Sequence, residues 1–146
     1  MHSADVYLEE PEKCTSLKAL IIDDQRAMRR IVRSLLKQIG ISSFIEAGDG
    51  AAALKMIETL EPDARPDFVI CDLHMDGMDG LEFCNKVRLN RIEALRDIPI
   101  IVLTGDSDSL IRSVTEQIGI GTILSKPVSA PEQQQAVAGA VGFSLQ

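Results

Sequence analysis

Four short apolar runs along the chain each end at a polar side chain. The runs are LII before Asp23, FVIC before Asp72, IIVL before Thr104 and TILS before Lys126. Short apolar runs bounded by turn residues are typical of strands in a buried sheet. Together with one weaker run, they predict strands at residues 17–23, 43–47, 68–72, 98–103 and 122–125.

The segments between these strands carry apolar residues at helical spacing. In the first, residues 25–39, the pattern i, i+3, i+4, i+7, i+8, i+11 is formed by Met28, Ile31, Val32, Leu35, Leu36 and Ile39. Further helices are predicted at residues 51–60, 80–89, 107–118 and 129–142. Ser129 and Glu132 are spaced as a capping box, which places Pro131 at the first position of the last helix.

Strands that alternate with helices in this way predict an α/β fold. Short connections and right-handed crossovers give a five-stranded, doubly wound parallel sheet with five helices covering both faces. The carboxyl ends of parallel strands share one edge of the sheet, where ligands of such folds bind. We therefore expect one site to contain Asp23, Asp24, Asp72, Thr104 and Lys126.

Each of these residues also has an ordinary explanation when it is taken alone. Asp23 and Asp24 are suited to cap the first helix, and Thr104 is suited to cap the fourth. Lys126 on its own is equally consistent with a surface lysine.

The first helix carries a strongly basic face in addition to its apolar one. This face comprises Arg26, Arg29, Arg30, Arg33 and Lys37. A run of charges on a helix is usually solvated. Because this helix starts directly after the acidic pair, docking of a partner is an equally reasonable hypothesis.

Taken together and in this order, the site residues resemble the response-regulator receiver domain of the CheY-like family. The matching features are the Asp23-Asp24 pair, Asp72 in DLHMDGMDG, Thr104 followed by Gly105, and Lys126 followed by Pro127. The segment EAGDG at residues 46–50 also resembles the second strand and helix of the family. The resemblance covers roughly residues 17–141 and implies the strand order 2-1-3-4-5.

The resemblance implies that Asp72 accepts a phosphoryl group, whose oxygens then contact Thr104 and Lys126. A histidine kinase or a histidine phosphotransfer protein of a two-component phosphorelay would be the donor. The modified domain would signal by binding an output protein that the sequence does not identify. On this interpretation the chain catalyses only its own phosphorylation and dephosphorylation, and it is not an enzyme with a separate substrate.

A divalent metal, Mg²⁺ or Mn²⁺, is also implied by the resemblance. Its ligands would be Asp24 and Asp72 directly, Asp23 through water, and the backbone carbonyl of His74. Hard oxygen ligands of this kind suit Mg²⁺.

Five further residues are expected to modulate the site, again by resemblance. They are His74, Gly105, Asp106, Ile123 and Pro127. His74 and Asp106 each stand two residues after a site residue, so they flank the path of an attacking water and are expected to set the phosphoryl lifetime. The family usually has an aromatic residue at the position of Ile123, so weaker coupling to the output surface is expected. Gly105 is the small residue after the threonine, and Pro127 would fix the direction of the preceding lysine.

Composition restricts the class of protein further. With 146 residues the chain has the size of one domain, and no apolar run approaches the roughly 20 residues of a membrane span. A net charge of −7 argues against direct nucleic-acid binding. Three cysteines without metal-ligand spacing, and a start unlike a secretory signal, favour the cytoplasm.

The domain organisation follows from the same composition. Residues 1–16 are acidic and polar, which predicts a flexible tail, and residues 17–146 form the predicted receiver domain. Because few residues follow the last helix, we expect a stand-alone receiver.

Two other functions are compatible with an aspartate after a parallel strand. A haloacid-dehalogenase-type phosphatase is a Mg²⁺-dependent phosphohydrolase that also works through an aspartyl phosphate. Such enzymes usually have a second Asp two residues after the nucleophile, where this chain has His74. The other alternative is a binding module that keeps the receiver fold without being phosphorylated.

Overall fold

Strands of one sheet alternate along the chain with helices that cover it. The computed structural model describes residues 17–73, 79–105, 109–120, 122–126 and 129–141. The strands are β1 (Lys18–Ile22), β2 (Ser43–Ala47), β3 (Phe68–Asp72), β4 (Ile100–Thr104) and β5 (Thr122–Ser125). The α-helices are α1 (Arg26–Gln38), α2 (Gly50–Thr59), α3 (Gly80–Arg88), α4 (Ser109–Ile118) and α5 (Ala130–Val141). Single 3₁₀ turns at Pro62–Ala64 and Glu93–Leu95 precede β3 and β4.

All strand pairs are parallel, and the order in the sheet is β2-β1-β3-β4-β5. The predicted fold class and strand order are therefore confirmed. The inner strands β3 and β4 are buried at every residue. Burial on both faces explains why their sequences are continuous apolar runs rather than alternating ones.

Successive strand residues face opposite sides of the sheet and build two hydrophobic cores. The core beneath α1 and α5 includes Ile21, Ile70, Ile101, Val32, Leu36 and Val137. The core beneath α2 and α3 includes Leu20, Val69, Val102, Ile57 and Phe83. Because the helices cover both faces, the carboxyl edge of the sheet is the place where a ligand can reach the strands.

Several element boundaries differ from the predicted ones by one or two residues. β4 begins at Ile100 rather than at residue 98, because Pro99 has no N–H to donate to a neighbouring strand. The Pro99 carbonyl still accepts a hydrogen bond from the Val69 N–H at 2.9 Å. β1 is Lys18–Ile22 rather than residues 17–23. The predicted start of α4 at residue 107 lies outside the described residues, in which this helix is Ser109–Ile118.

The last helix, α5, begins with the predicted capping box. Ser129 Oγ accepts from the Glu132 N–H at 3.3 Å, and Glu132 Oε1 accepts from the Ser129 N–H at 3.2 Å. The helix starts at Ala130, so Pro131 occupies its second position and the predicted first position is wrong. Proline is tolerated there because N–H groups of the first turn have no intrahelical acceptor.

One residue of the predicted apolar face of α1 is not buried. Val32 and Leu36 are buried, whereas Ile31 is 51% exposed. A helix turns by about 100° per residue, so neighbouring residues point in different directions. Ile31 lies at the rim of the predicted apolar face and is exposed there. The predicted tail, residues 1–16, lies outside the described residues, and the predicted domain division stays a prediction.

The start of α3 lies against the end of β3. The Gly80 N–H donates to the Leu73 carbonyl at 3.0 Å. A Cβ on Gly80 would lie only 2.8 Å from the Leu73 Cα and closer still to the backbone carbonyl oxygen of Asp72. Because both neighbours are backbone atoms, they cannot move aside as a side chain could.

We therefore expect Gly80→Ala to lower the free energy of unfolding by about 1–3 kcal/mol, which is the usual cost of overpacking. Gly139→Ala is the matched control, because Gly139 lies on α5 and no atom of the described residues is within 4 Å of an added Cβ. Helix propensity predicts that this control is stabilised by about 1 kcal/mol. Urea unfolding measures both, and equal midpoints for Gly80→Ala and the parent would contradict the steric argument.

Candidate functional site

Asp72 lies at the carboxyl end of β3, beside Lys126. Asp72 is 5% exposed, and the Lys126 Nζ donates a hydrogen bond to its Oδ1 at 2.9 Å. The Lys126 backbone N–H donates to the Thr104 carbonyl at 2.8 Å. This bond extends the pairing of β4 with β5 by one residue, so the sheet itself places the ammonium beside the carboxylate.

Three carboxylates meet next to this lysine. One oxygen each of Asp23, Asp24 and Asp72 lies within 4.8 Å of the others. The register explains the meeting, because β1 and β3 are neighbours and Ile22 is level with Cys71. The residues that follow, Asp23 and Asp72, therefore reach the edge of the sheet together.

The two members of the acidic pair differ in their surroundings. Asp24 is exposed, whereas Asp23 is 2% exposed. Asp23 Oδ1 accepts from the Gln25 N–H at 2.9 Å, but its Oδ2 has no hydrogen-bond partner among the described residues. The Lys126 Nζ lies 3.7 Å from this oxygen, within range of an ion pair but too far for a hydrogen bond.

Burial raises the pKa of Asp23 above its ordinary value. The hydrogen bond from the Gln25 N–H and the charge of Lys126 oppose this shift, while the carboxylates of Asp72 and Asp24 add to it. Burial and like charge both disfavour the ionised form of a carboxyl group. Burial of Asp23 is thus the main cause of the raised pKa, and the two neighbouring carboxylates add to it.

A hard divalent cation fits this cluster. Every donor in it is a carboxylate oxygen, the ligand type that Mg²⁺ prefers. Within the described ranges, one ammonium stands beside the three carboxylates and one buried carboxylate oxygen has no hydrogen-bond partner, which is costly. A bound Mg²⁺ would supply both the missing charge and the missing partner.

The acidic pair does not form the side-chain cap of α1. The N-cap residue of α1 is Gln25, and no side chain caps it. By contrast, Asp49 caps α2 by accepting from the Ala52 N–H at 2.8 Å, and Asp79 caps α3 by accepting from the Glu82 N–H at 2.9 Å. Helix capping, the alternative role considered for Asp23 and Asp24, is thus performed by Asp49 and Asp79 instead.

Thr104 is the last residue of β4 and is 2% exposed. It is level with Ser125 of β5, while Asp72 is level with Leu103. Thr104 thus extends one residue beyond the point on β4 that is level with Asp72.

The remaining predicted residues are placed as follows. Gly105 is exposed, and no atom of the described residues lies within 4 Å of the position a Cβ would take. Ile123 is half-buried in β5 and packs against the core beneath α2 and α3. His74, Asp106 and Pro127 lie outside the described residues.

The basic face of α1 is divided in two by the fold. Arg26 and Arg30 are exposed, as a solvated or docking face requires. Arg29 and Arg33 both donate to the carboxylate of Glu46 on β2, and the Arg29 side chain is only 16% exposed. The hypothesis that all the basic residues of α1 form one free surface is therefore wrong for Arg29 and Arg33, which are paired with Glu46. A cavity of about 220 Å³ is lined by Arg26, Arg29, Arg30, Arg33 and Glu46.

Glu46 and Gly80 have structural roles that the local sequence pattern does not predict. A lone glutamate in the half-buried strand β2 was one available signal, because a buried acid needs a partner. A glycine directly after the capping Asp79 was the other. Neither signal identifies the partner, since each contact depends on how two separate elements pack against each other.

Comparison with known proteins gives the family. Residues 19–138 match the family model described as the response regulator receiver domain. The chemotaxis protein CheY of Pseudomonas aeruginosa is 34% identical over 116 residues, covering 78% of this chain and 87% of that protein. CheY-3 of Vibrio cholerae is 33% identical over 115 residues, covering 79% and 84%. The solved structure of V. cholerae CheY4 superposes with a TM-score of 0.73 at 26% identity, covering 85% of this chain and 98% of that one.

The chain belongs to the response regulator receiver domain family. It is a CheY-like receiver domain of two-component signalling, a class of signalling proteins. Receiver domains generally bind Mg²⁺ at a cluster of aspartates, and Asp23, Asp24 and Asp72 form such a cluster here. Among the described residues, no helix is long and apolar enough to cross a membrane.

Proposed function

We propose that this domain is a cytoplasmic switch controlled by phosphorylation of Asp72. A histidine kinase or a histidine phosphotransfer protein supplies the phosphoryl group, and the output is binding to another protein. The observation that carries the proposal is the meeting of three carboxylates with the Lys126 ammonium at one edge of the sheet.

The chemistry follows from these groups. A carboxylate oxygen of Asp72 attacks phosphorus, and the bond from phosphorus to the donor's imidazole nitrogen breaks as the aspartyl phosphate forms. Asp72 leaves its hydrogen bond with Lys126, and the ammonium then pairs with a phosphoryl oxygen. Thr104 donates its hydroxyl to another of these oxygens. A Mg²⁺ ion held by Asp24 and Asp72, by Asp23 through water and by the His74 carbonyl would offset the negative charge.

The direct test is incubation with acetyl phosphate and Mg²⁺, followed by intact-mass measurement. We expect one phosphoryl group per chain. Repeated turnover of an external phosphate ester would instead indicate the phosphohydrolase alternative. A protein that neither takes up phosphate nor turns it over would be a binding module, and the proposal would be rejected.

The exposed part of the basic face, Arg26 and Arg30, is proposed to dock the phosphodonor. Charges at the rim of an interface mainly change the association rate and its salt dependence. We expect Arg26→Glu combined with Arg30→Glu to slow transfer from a phosphorylated histidine phosphotransfer protein about tenfold at low salt. Labelling by acetyl phosphate should not change.

The matched control combines Lys55→Glu with Lys86→Glu, two exposed lysines on α2 and α3 that give the same change in net charge. This control should transfer at the parental rate. Equal slowing in both double variants would show that net charge, and not this surface, sets the rate.

The modulating residues keep their predicted roles as part of the proposal. His74 and Asp106 set the lifetime of the aspartyl phosphate, Gly105 is the small residue after Thr104, and Pro127 directs Lys126. At Ile123, a smaller and stiffer side chain than an aromatic ring limits the difference between the two signalling states. The predicted output surface consists of α4, β5 and α5.

A further inference from the structure

Arg29 joins the loop that carries the acidic pair to the neighbouring strand β2. Its Nη1 donates to the backbone carbonyl of Asp23 at 2.6 Å, and its Nε donates to Glu46 Oε1 at 3.0 Å. Its side chain is 16% exposed, compared with 41% for Arg33. Arg29 is therefore part of the support of the site rather than of the exposed basic face.

Glu46 determines where Arg29 points. Glu46 is level with Ile21 of β1, and its second carboxylate oxygen accepts from Arg33, whose guanidinium carbon lies 5.5 Å from the centre of the Phe44 ring. Two arginines one helical turn apart repel each other unless an anion lies between them. Because a guanidinium group is planar, holding one of its nitrogens also sets the direction of the others.

The backbone of Asp23 is held on two sides as a result. Its N–H donates to the Ala47 carbonyl at 3.2 Å, and its carbonyl accepts from Arg29. Its Oδ1 also accepts from the Gln25 N–H, which fixes the turn into α1. The orientation of the Asp23 and Asp24 carboxylates toward Asp72 depends on this turn.

We propose that Arg29, oriented by Glu46, is a positioning residue for the metal-binding carboxylates of Asp23 and Asp24. The inference rests on the proposed metal site and adds to it a support that lies outside the ligands. Groups that orient metal ligands typically change metal affinity by about 10–100-fold when they are removed. Arg29 acts on the backbone of Asp23, not on its carboxylate.

The sign of the expected effect separates positioning from simple electrostatics. Arg29 is a positive charge close to a site for a cation. By Coulomb's law alone, removing it would strengthen cation binding. Loss of positioning would weaken binding instead.

The test compares Arg29→Met with Arg30→Met. Both remove one positive charge from adjacent residues of α1, but Arg30 is exposed and has no ion pair within the part of the chain that the structure describes. Titration calorimetry with Mg²⁺ should show affinity about tenfold weaker for Arg29→Met. Arg30→Met should bind Mg²⁺ as tightly as the parent or slightly more tightly. The Mg²⁺ affinity of Arg29→Lys should lie between those of Arg29→Met and the parent. Equal affinities of the two methionine variants would overturn the proposal.

A second measurement needs no metal. Amide hydrogen exchange of residues 23–25 should be about tenfold faster in Arg29→Met than in Arg30→Met, while β3 stays protected in both. If the parent binds no Mg²⁺, the proposed metal site fails, but the exchange rates still decide whether Arg29 holds the loop. Unchanged exchange would show that it does not.

Discussion

Asp72→Asn is expected to take up no phosphoryl group from acetyl phosphate under conditions that label the parent. Asparagine has nearly the shape of aspartate, so this 5% exposed position should stay packed. The neutral amide is not an anionic nucleophile. Its Oδ1 can still accept a hydrogen bond from Lys126, but the ion pair that Lys126 makes with Asp72 at 2.9 Å is lost. Intact-mass measurement gives the result directly.

Asp63→Asn is the matched control for this experiment. Asp63 is exposed in the 3₁₀ turn before β3, at the opposite edge of the sheet from Asp72. The Asp63→Asn variant should take up the phosphoryl group to the same extent as the parent. Parental labelling of Asp72→Asn would identify a different acceptor, and circular dichroism would show whether either variant had lost its fold.

Asp23→Asn is expected to have two opposite effects. Without metal it should stabilise the domain by about 1–3 kcal/mol, because it replaces a buried carboxylate whose Oδ2 has no hydrogen-bond partner among the described residues. It should also weaken Mg²⁺ binding. If affinity falls tenfold, saturating Mg²⁺ stabilises the variant by about 1.4 kcal/mol less than the parent. Thermal unfolding with and without Mg²⁺ measures both effects.

The stability difference between Asp23→Asn and the parent should depend on pH in a definite direction. Because burial raises the pKa of Asp23 above its ordinary 3.8, the folded state binds this proton at higher pH than the unfolded chain does. Between the two pKa values the folded state holds more protons, so the parent's free energy of unfolding falls as pH rises. The advantage of Asp23→Asn should therefore be smallest in acid and complete above the raised pKa.

Asp24→Asn provides the control for these stability measurements. Asp24 is exposed, so its replacement should leave the metal-free stability within about 0.5 kcal/mol of the parent while still weakening Mg²⁺ binding. Equal metal-free stabilisation by both substitutions would show that general repulsion among the carboxylates, and not burial of Asp23, is responsible.

The sequence by itself determined the fold and the meeting of the acidic residues with Lys126. Continuous apolar runs identify strands buried on both faces, and their alternation with helices makes the sheet parallel. In a parallel sheet the carboxyl ends share one edge, so Asp23, Asp72 and Lys126 are all expected at that edge, and the strand order that makes them neighbours was implied by the resemblance. The resemblance to receiver domains was likewise carried by residues at these strand ends.

Only the tertiary structure decided which of two adjacent aspartates is buried. Asp23 and Asp24 are chemically identical and both follow β1, yet one is 2% exposed and the other is exposed. The difference depends on the direction of the turn into α1, which the contacts of Gln25 and Arg29 set. No local pattern contains that information.

The tertiary structure also decided the division of the basic face and the steric constraint at Gly80. Helical periodicity places Arg26, Arg29 and Arg30 on the polar side of α1, but the rotation of the helix against β2 determines which of them meets Glu46. In the same way, capping residues predict the start of α3, whereas its distance from the β3 backbone depends on packing between the two elements. Periodicity and strand order are properties of the chain. The distances between side chains of different elements are properties of the packed core, and they become fixed only when the elements come together.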